Sequence, residues 1–126
     1  MRSRLGVGIL LLSLAIAAAC GSSRGGSALD RNKTASTLTP AEQAELCDEV
    51  NGAQGGYGRS VTCTDGSTQT TDPSQAVCIQ SIPTAGDPCA NLTVGNLLDC
   101  ANAVGSNLCT FPTTAACQPI HACSGA

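Results

Sequence analysis

The pattern of apolar and polar positions divides the chain into segments of different character. Leu5–Ala19 is an unbroken run of apolar and small residues, and residues 21–39 are Ser-, Gly-, Thr- and Asn-rich with no apolar period. From Pro40 onward apolar residues recur at helical spacing in three stretches. In the first, Thr39-Pro40-Ala41-Glu42 supplies a cap, a first-turn proline and the acid of a capping box. It predicts a helix over 40–51 ended by Gly52, with Leu46, Cys47 and Val50 on one face and Glu42, Glu45 and Glu49 on the other. The second follows the same logic from Asp72 as cap and Gln75 at the third position, buries Cys78, Ile79 and Ile82, and stops at Pro83. The third starts at Thr93, with Leu92 placed to staple onto Leu97. Its stripe is Val94, Leu97, Leu98, Ala101 and Val104; Asn96, Asp99 and Asn102 point away, and Gly105 closes it.

Between the first two helices, Arg59–Thr64 alternates in the manner of a strand, and Asp65-Gly66 is a hairpin turn signal. The arm that follows, Ser67–Thr71, has no apolar residue to bury, so this is a candidate hairpin only. From Gly105 to Ala126 two prolines and three cysteines interrupt any period, which predicts an irregular C-terminal tail.

Composition changes this picture in one respect. Tyr57 and Phe111 are the only aromatic residues and there is no Trp, so the large side chains that fill cores are missing. A unit of residues 40–126 is small enough to need a staple. Nine cysteines are present. Cys20 stands apart at the end of the apolar run, and the other eight, Cys47, Cys63, Cys78, Cys89, Cys100, Cys109, Cys117 and Cys123, form an even set. In a short exported chain that density reads as four disulfides formed in an oxidising compartment. The spacing does not choose among the hundred or so pairings that eight cysteines allow. The expected fold class is small, disulfide-rich and mainly α, with three short helices, the candidate hairpin and the irregular tail.

At the N-terminus, Met1-Arg2-Ser3-Arg4 is a cationic start to the apolar run. A helix of 15 such residues would be ~22 Å long, short of the ~30 Å bilayer core, and small residues close it. Residues 1–19 thus read as a signal peptide. Ile16-Ala17-Ala18-Ala19-Cys20-Gly21 resembles the lipobox of bacterial lipoproteins, with Ala17 where the family usually has Leu. The resemblance implies a covalent lipid on Cys20, attachment to a membrane and a place in the cell envelope, at the outer membrane or the cell surface. Ala17-x-Ala19 also suits an ordinary signal peptidase, which would release a freely secreted protein. Residues 20–39 are then the lipidated cysteine and a flexible linker, holding the head ~25 Å from the membrane on average. The head is similar in style to bacterial cysteine-rich lipoproteins, a likeness that implies no activity. Plant lipid-transfer proteins and hydrophobins carry Cys-Cys doublets, which this chain lacks.

Chemistry is sparse. Arg59 is the one Lys or Arg from Pro40 onward, against eight carboxylates, so nucleic acid is not an expected partner. No Cys-x-x-Cys occurs and His121 is the sole histidine, so neither a metal, a redox pair nor a nucleophile–base couple is expected, and no cofactor besides the lipid. Gly55-Gly56-Tyr57-Gly58 lacks the lysine of a phosphate-binding loop. Tyr57 reads as a ring over a thin core or as a binding anchor, and His121 as a tail residue. Asn32-Lys33-Thr34 and Asn91-Leu92-Thr93 are glycosylation sequons, relevant in a eukaryotic host. The expectation is a non-catalytic envelope protein that meets an unknown protein or small-molecule partner. The alternative is a carrier of a small apolar ligand, which a pocket above ~300 Å³ would favour.

Overall fold

A computed structural model describes residues 28–125. The expected signal peptide, residues 1–19, and the expected lipidation site Cys20 lie outside the described residues. The protein is small, disulfide-rich and mainly helical, with one two-stranded antiparallel hairpin. Four α-helices follow in order, α1 Pro40–Ala53, α2 Gln75–Ser81, α3 Val94–Val104 and α4 Gln118–Ser124, joined by 3-10 turns at Ala35–Thr37, Leu108–Thr113 and Ala115–Cys117. The hairpin of β1 (Ser60–Thr62) and β2 (Thr68–Thr70) sits between α1 and α2, pairing Val61 with Gln69.

The local start signals act as their chemistry requires. Thr39 and Glu42 form the reciprocal capping box of α1, and Thr93 and Asn96 form that of α3. Asn96 therefore works at the helix start. Helix α1 runs through Gly52 and stops after Ala53, because Gly55 and Gly56 supply the positive φ angles (95° and 107°) that reverse the chain. Helix α2 is capped by the Ser74 hydroxyl, which accepts from the Val77 N–H; the Asp72 carboxylate instead faces Asn51.

Two core clusters share the interior. The larger joins nine buried residues from α1, α2, the start of α3 and the chain before α1, with the Cys47–Cys78 bridge inside it. The smaller has four, Cys100, Val104, Leu108 and Cys117, and the Cys100–Cys117 bridge supplies two of them. Cys63–Cys109 ties the hairpin to the 3-10 turn that begins at Leu108, and Cys89–Cys123 ties the loop before α3 to α4. All eight domain cysteines are thus paired among themselves, and every bridge joins separate elements. Val61 packs on the smaller cluster, so burial of β1 and the Cys63 bridge hold a hairpin whose second arm buries nothing apolar.

Two expectations are corrected. The flexible linker assigned to 20–39 does not extend to its C-terminal part: residues 28–39 belong to the folded body. Leu29, Ala35 and Leu38 are buried in the larger cluster. Backbone pairing fixes this strap across the start of α3, with Ala35 N–H donating to Leu92 O (2.8 Å), Val94 N–H to Lys33 O (2.9 Å) and Gly95 N–H to Arg31 O (2.8 Å). The strap carbonyls thereby satisfy first-turn N–H groups that the helix leaves open. Gly95 permits the approach, since a Cβ there would stand 3.0 Å from Arg31 O. Lys33 Nζ donates to both carboxylate oxygens of Glu42, at 2.8 and 2.6 Å, and Arg31 pairs with Asp99. The tail is the second correction: residues 108–124 are a chain of short helical turns ending in α4, pinned by three bridges.

Candidate functional site: an apolar cleft between the two cores

Where the clusters meet, the small side chains of this sequence leave space. Helix α1 presents Leu46, Cys47 and Val50, one helical face; α3 presents Leu97, Cys100 and Ala101, spaced three and four residues apart. Ile82, Pro83, Phe111 and Ile120 complete the apolar lining. The enclosed part is about 180 Å³. It shares Ser81, Ile82, Pro83, Leu97 and Ile120 with a more open groove of about 470 Å³ that runs toward the Cys89–Cys123 bridge. Leu97, Val50, Phe111 and Ile120 are only partly buried, as walls rather than filling.

The polar groups of the inner cleft are few: Gln54, Asp72 and Ser81. Asp72 is its one charged side chain. Behind Asp72 stands Asn51, fully buried on α1. Its Nδ2 donates to Cys47 O at 3.0 Å and to Asp72 Oδ2 at 3.4 Å, while its Oδ1 is buried with no hydrogen-bond partner. Arg59 is held away from the lining, its Nη1 donating to Gln54 O and Ser106 O, both at 2.7 Å.

Tyr57 is half-buried against the larger cluster and donates its hydroxyl to Asp48 at 2.8 Å. Burial, that bond, and the charges of Asp48 and Asp72 push its phenol up to about 12, so it stays a donor at ordinary pH. It braces the outside of α1 and does not line the cleft. His121 sits edge-on to Phe111 at 4.8 Å, its Nε2 3.2 Å from Phe111 O, and it lies outside the inner cleft. Among the described residues no group of three or more His, Cys, Asp or Glu side chains is arranged to hold a metal. None of the described helices is long and apolar enough to cross a membrane.

The bridges place this head in an oxidising, exported environment. The cleft residues Asp72 and Leu97, and Asn51 behind Asp72, were not legible as a site. In sequence Asp72 is a helix cap, Asn51 a helix end and Leu97 a core residue, and only their meeting across three elements gives them another part. Comparison of the chain with protein-family models, with curated proteins and with solved structures finds no match.

Proposed function

We propose that this chain is a non-catalytic, lipid-anchored protein of the cell envelope whose head binds a small apolar group in the cleft between α1, α2, α3 and α4. The cleft carries the reading. In a domain short of large side chains, five elements leave apolar walls around about 180 Å³ of space. A closed void of that size would cost about 4 kcal/mol at ~24 cal/mol per Å³. Opening one side to solvent lessens that cost but leaves the walls wet. An apolar cavity of ~150 Å³ is known to accept a benzene-sized guest. The inner cleft fits that scale, below the ~300 Å³ of drug-sized pockets, and the outer groove offers room for an extension.

Anchoring draws support from the cysteine arithmetic. With four bridges formed inside the head, Cys20 has no domain partner left to pair with, which suits its modification by lipid. Because the strap is folded, the chain from Cys20 to Ala28 reaches no more than about 28 Å even when fully extended, at ~3.5 Å per residue. The head would thus be kept close to the bilayer, within reach of molecules leaving it.

Labelling with a fatty-acid analogue, combined with intact mass of the mature protein, tests the anchor. Cys20→Ser should abolish the label and release the head from membranes; a variant that stays in the membrane fraction overturns the anchor. For the cleft, a series of n-alkanols titrated against the head should move the resonances of Leu97, Phe111 and Ile120. Affinity should rise by ~0.8 kcal/mol per methylene until the space is full. Leu97→Phe and Val50→Phe should each block it. Unsaturable shifts, or binding that survives both variants, would remove the binding reading.

A further inference from the structure

Resting on the binding reading above, we infer that the cleft is selective for a cationic amphiphile, a primary ammonium carried on a short apolar body, with Asp72 as the group that recognises the charge. The lining is apolar except for Gln54, Ser81 and Asp72, and Asp72 is its only ionisable group. The carboxylate is half-buried and, among the described residues, enters no ion pair. Its single side-chain contact is a long one, 3.4 Å from Asn51 Nδ2 to Oδ2. Oδ1 accepts no hydrogen bond from a described residue, in contrast to Asp48, Asp65 and Asp87, each of which is engaged at 2.9 Å or less.

Asn51 explains why the Asp72 contact is weak. It is fully buried behind Asp72 and does not itself line the cleft; its Nδ2 is shared between Cys47 O and Asp72, and its Oδ1 has no hydrogen-bond partner. An orphaned buried acceptor costs ~1–3 kcal/mol. The opposite amide orientation would turn an oxygen toward both Cys47 O and the Asp72 carboxylate, so the orphan cannot be cured by a flip. The cleft therefore holds one half-satisfied carboxylate and offers no charged donor. An ammonium, with three donors and no acceptor, has the matching chemistry. An alcohol matches only in part, and a carboxylate is opposed by Asp72. The neighbouring cation does not reverse this, because Arg59 is tied to Gln54 O and Ser106 O and does not line the space.

The test uses the mature head and three probes of equal length, 1-hexylamine, 1-hexanol and hexanoate, titrated at pH 7 and followed at Leu97, Phe111 and Ile120. A charge-assisted hydrogen bond to a partly desolvated carboxylate should make hexylamine bind roughly tenfold tighter than hexanol, with hexanoate the weakest. Asp72→Asn, close in shape, should bring the amine down to the alcohol and leave the alcohol unchanged. General attraction of amines to an acidic surface is separated by Leu97→Phe, which should block cleft binding of the amine while leaving surface charge intact. Amine and alcohol within twofold of one another, or hexanoate tighter than hexanol, would overturn the inference and leave the apolar cleft standing. Saturable binding of none of the three overturns both. The ranking in the unmutated protein decides even if Asp72→Asn fails to fold.

Discussion

The two ends of the head are built on different principles. Around the larger cluster, apolar residues from α1, α2, α3 and the strap pack as in ordinary helical domains, and Cys47–Cys78 is one contact among nine buried residues. Around the smaller, only Val104 and Leu108 are buried beside the Cys100–Cys117 pair, and the chain runs in 3-10 turns. The first end is held by burial and the second by covalent bonds. The cleft lies at their junction because neither cluster has side chains large enough to fill the gap. The contrast shows how a chain with two aromatic residues still folds: most of its large aliphatics gather at one pole, and three of its four bridges pin the other.

The sharpest way to break this comparison is to remove the two buried bridges in turn. The Cys100→Ser/Cys117→Ser pair should lose ~3 kcal/mol of chain-entropy stabilisation for its separation of 17 residues, and half of its cluster as well. Hydrogen exchange should then show residues 105–124 unprotected while α1 stays protected. Cys47→Ser/Cys78→Ser opens a loop of 31 residues, yet should leave a packed cluster behind. Equal loss of protection everywhere would mean that the two ends form one cooperative unit.

Next come two leucines of equal burial, Leu98 and Leu108, each 4% exposed and each in a different cluster. Leu98→Ala should cost ~3–4 kcal/mol, since the packed residues of α1, α2 and the strap in its cluster resist collapse into the space; Leu108→Ala, in a loop of 3-10 turns, should cost ~2 kcal/mol. Urea midpoints measure both. The reverse order would make the bridged end the better packed. Leu97→Ala, on the cleft wall, should cost ~1 kcal/mol.

A smaller effect is expected at the strap. Its bond to Lys33, with the hydrogen bonds from Thr39, lowers the Glu42 carboxyl from 4.5 to about 2. A depressed carboxyl contributes stability that is complete above its unfolded pKa and lost as pH falls. The strap should therefore hold fully above pH ~4.5, loosen progressively below it, and lose this support near pH 2. Asp65 and Asp87, also lowered by hydrogen bonds from Ser67 and Thr84, add to the same acid window. Lys33→Met should flatten that part of the pH–stability profile, and an unchanged profile would assign the acid response elsewhere. Smallest of all, Asn102→Ala on the exposed face of α3 should shift stability by no more than ~0.5 kcal/mol.

Legibility followed the range of the interaction. The starts of α1 and α3 could be read because a cap bonds within four residues and needs no distant partner; at α1 the whole Thr39–Glu42 box was legible, at α3 only Thr93, with Asn96 expected on the outward face. The strap could not, because Leu29, Ala35 and Leu38 follow neither a helical nor a strand period, and its backbone partners Leu92–Gly95 lie some sixty residues on. The turns after Leu108 were hidden for a related reason, since proline and cysteine erase the apolar period that marks a helix.

By itself, the sequence determined the apolar N-terminal run, the even set of eight cysteines, the starts of α1 and α3 and the shortage of core, all of them matters of local spacing or composition. Which cysteines pair, that the strap completes the larger cluster, and that Asp72, backed by Asn51, joins the lining of an apolar cleft were decided by tertiary structure alone. Those contacts join residues 17 to 68 apart in the chain, and nothing in the local pattern encodes which distant groups a folding chain will bring face to face.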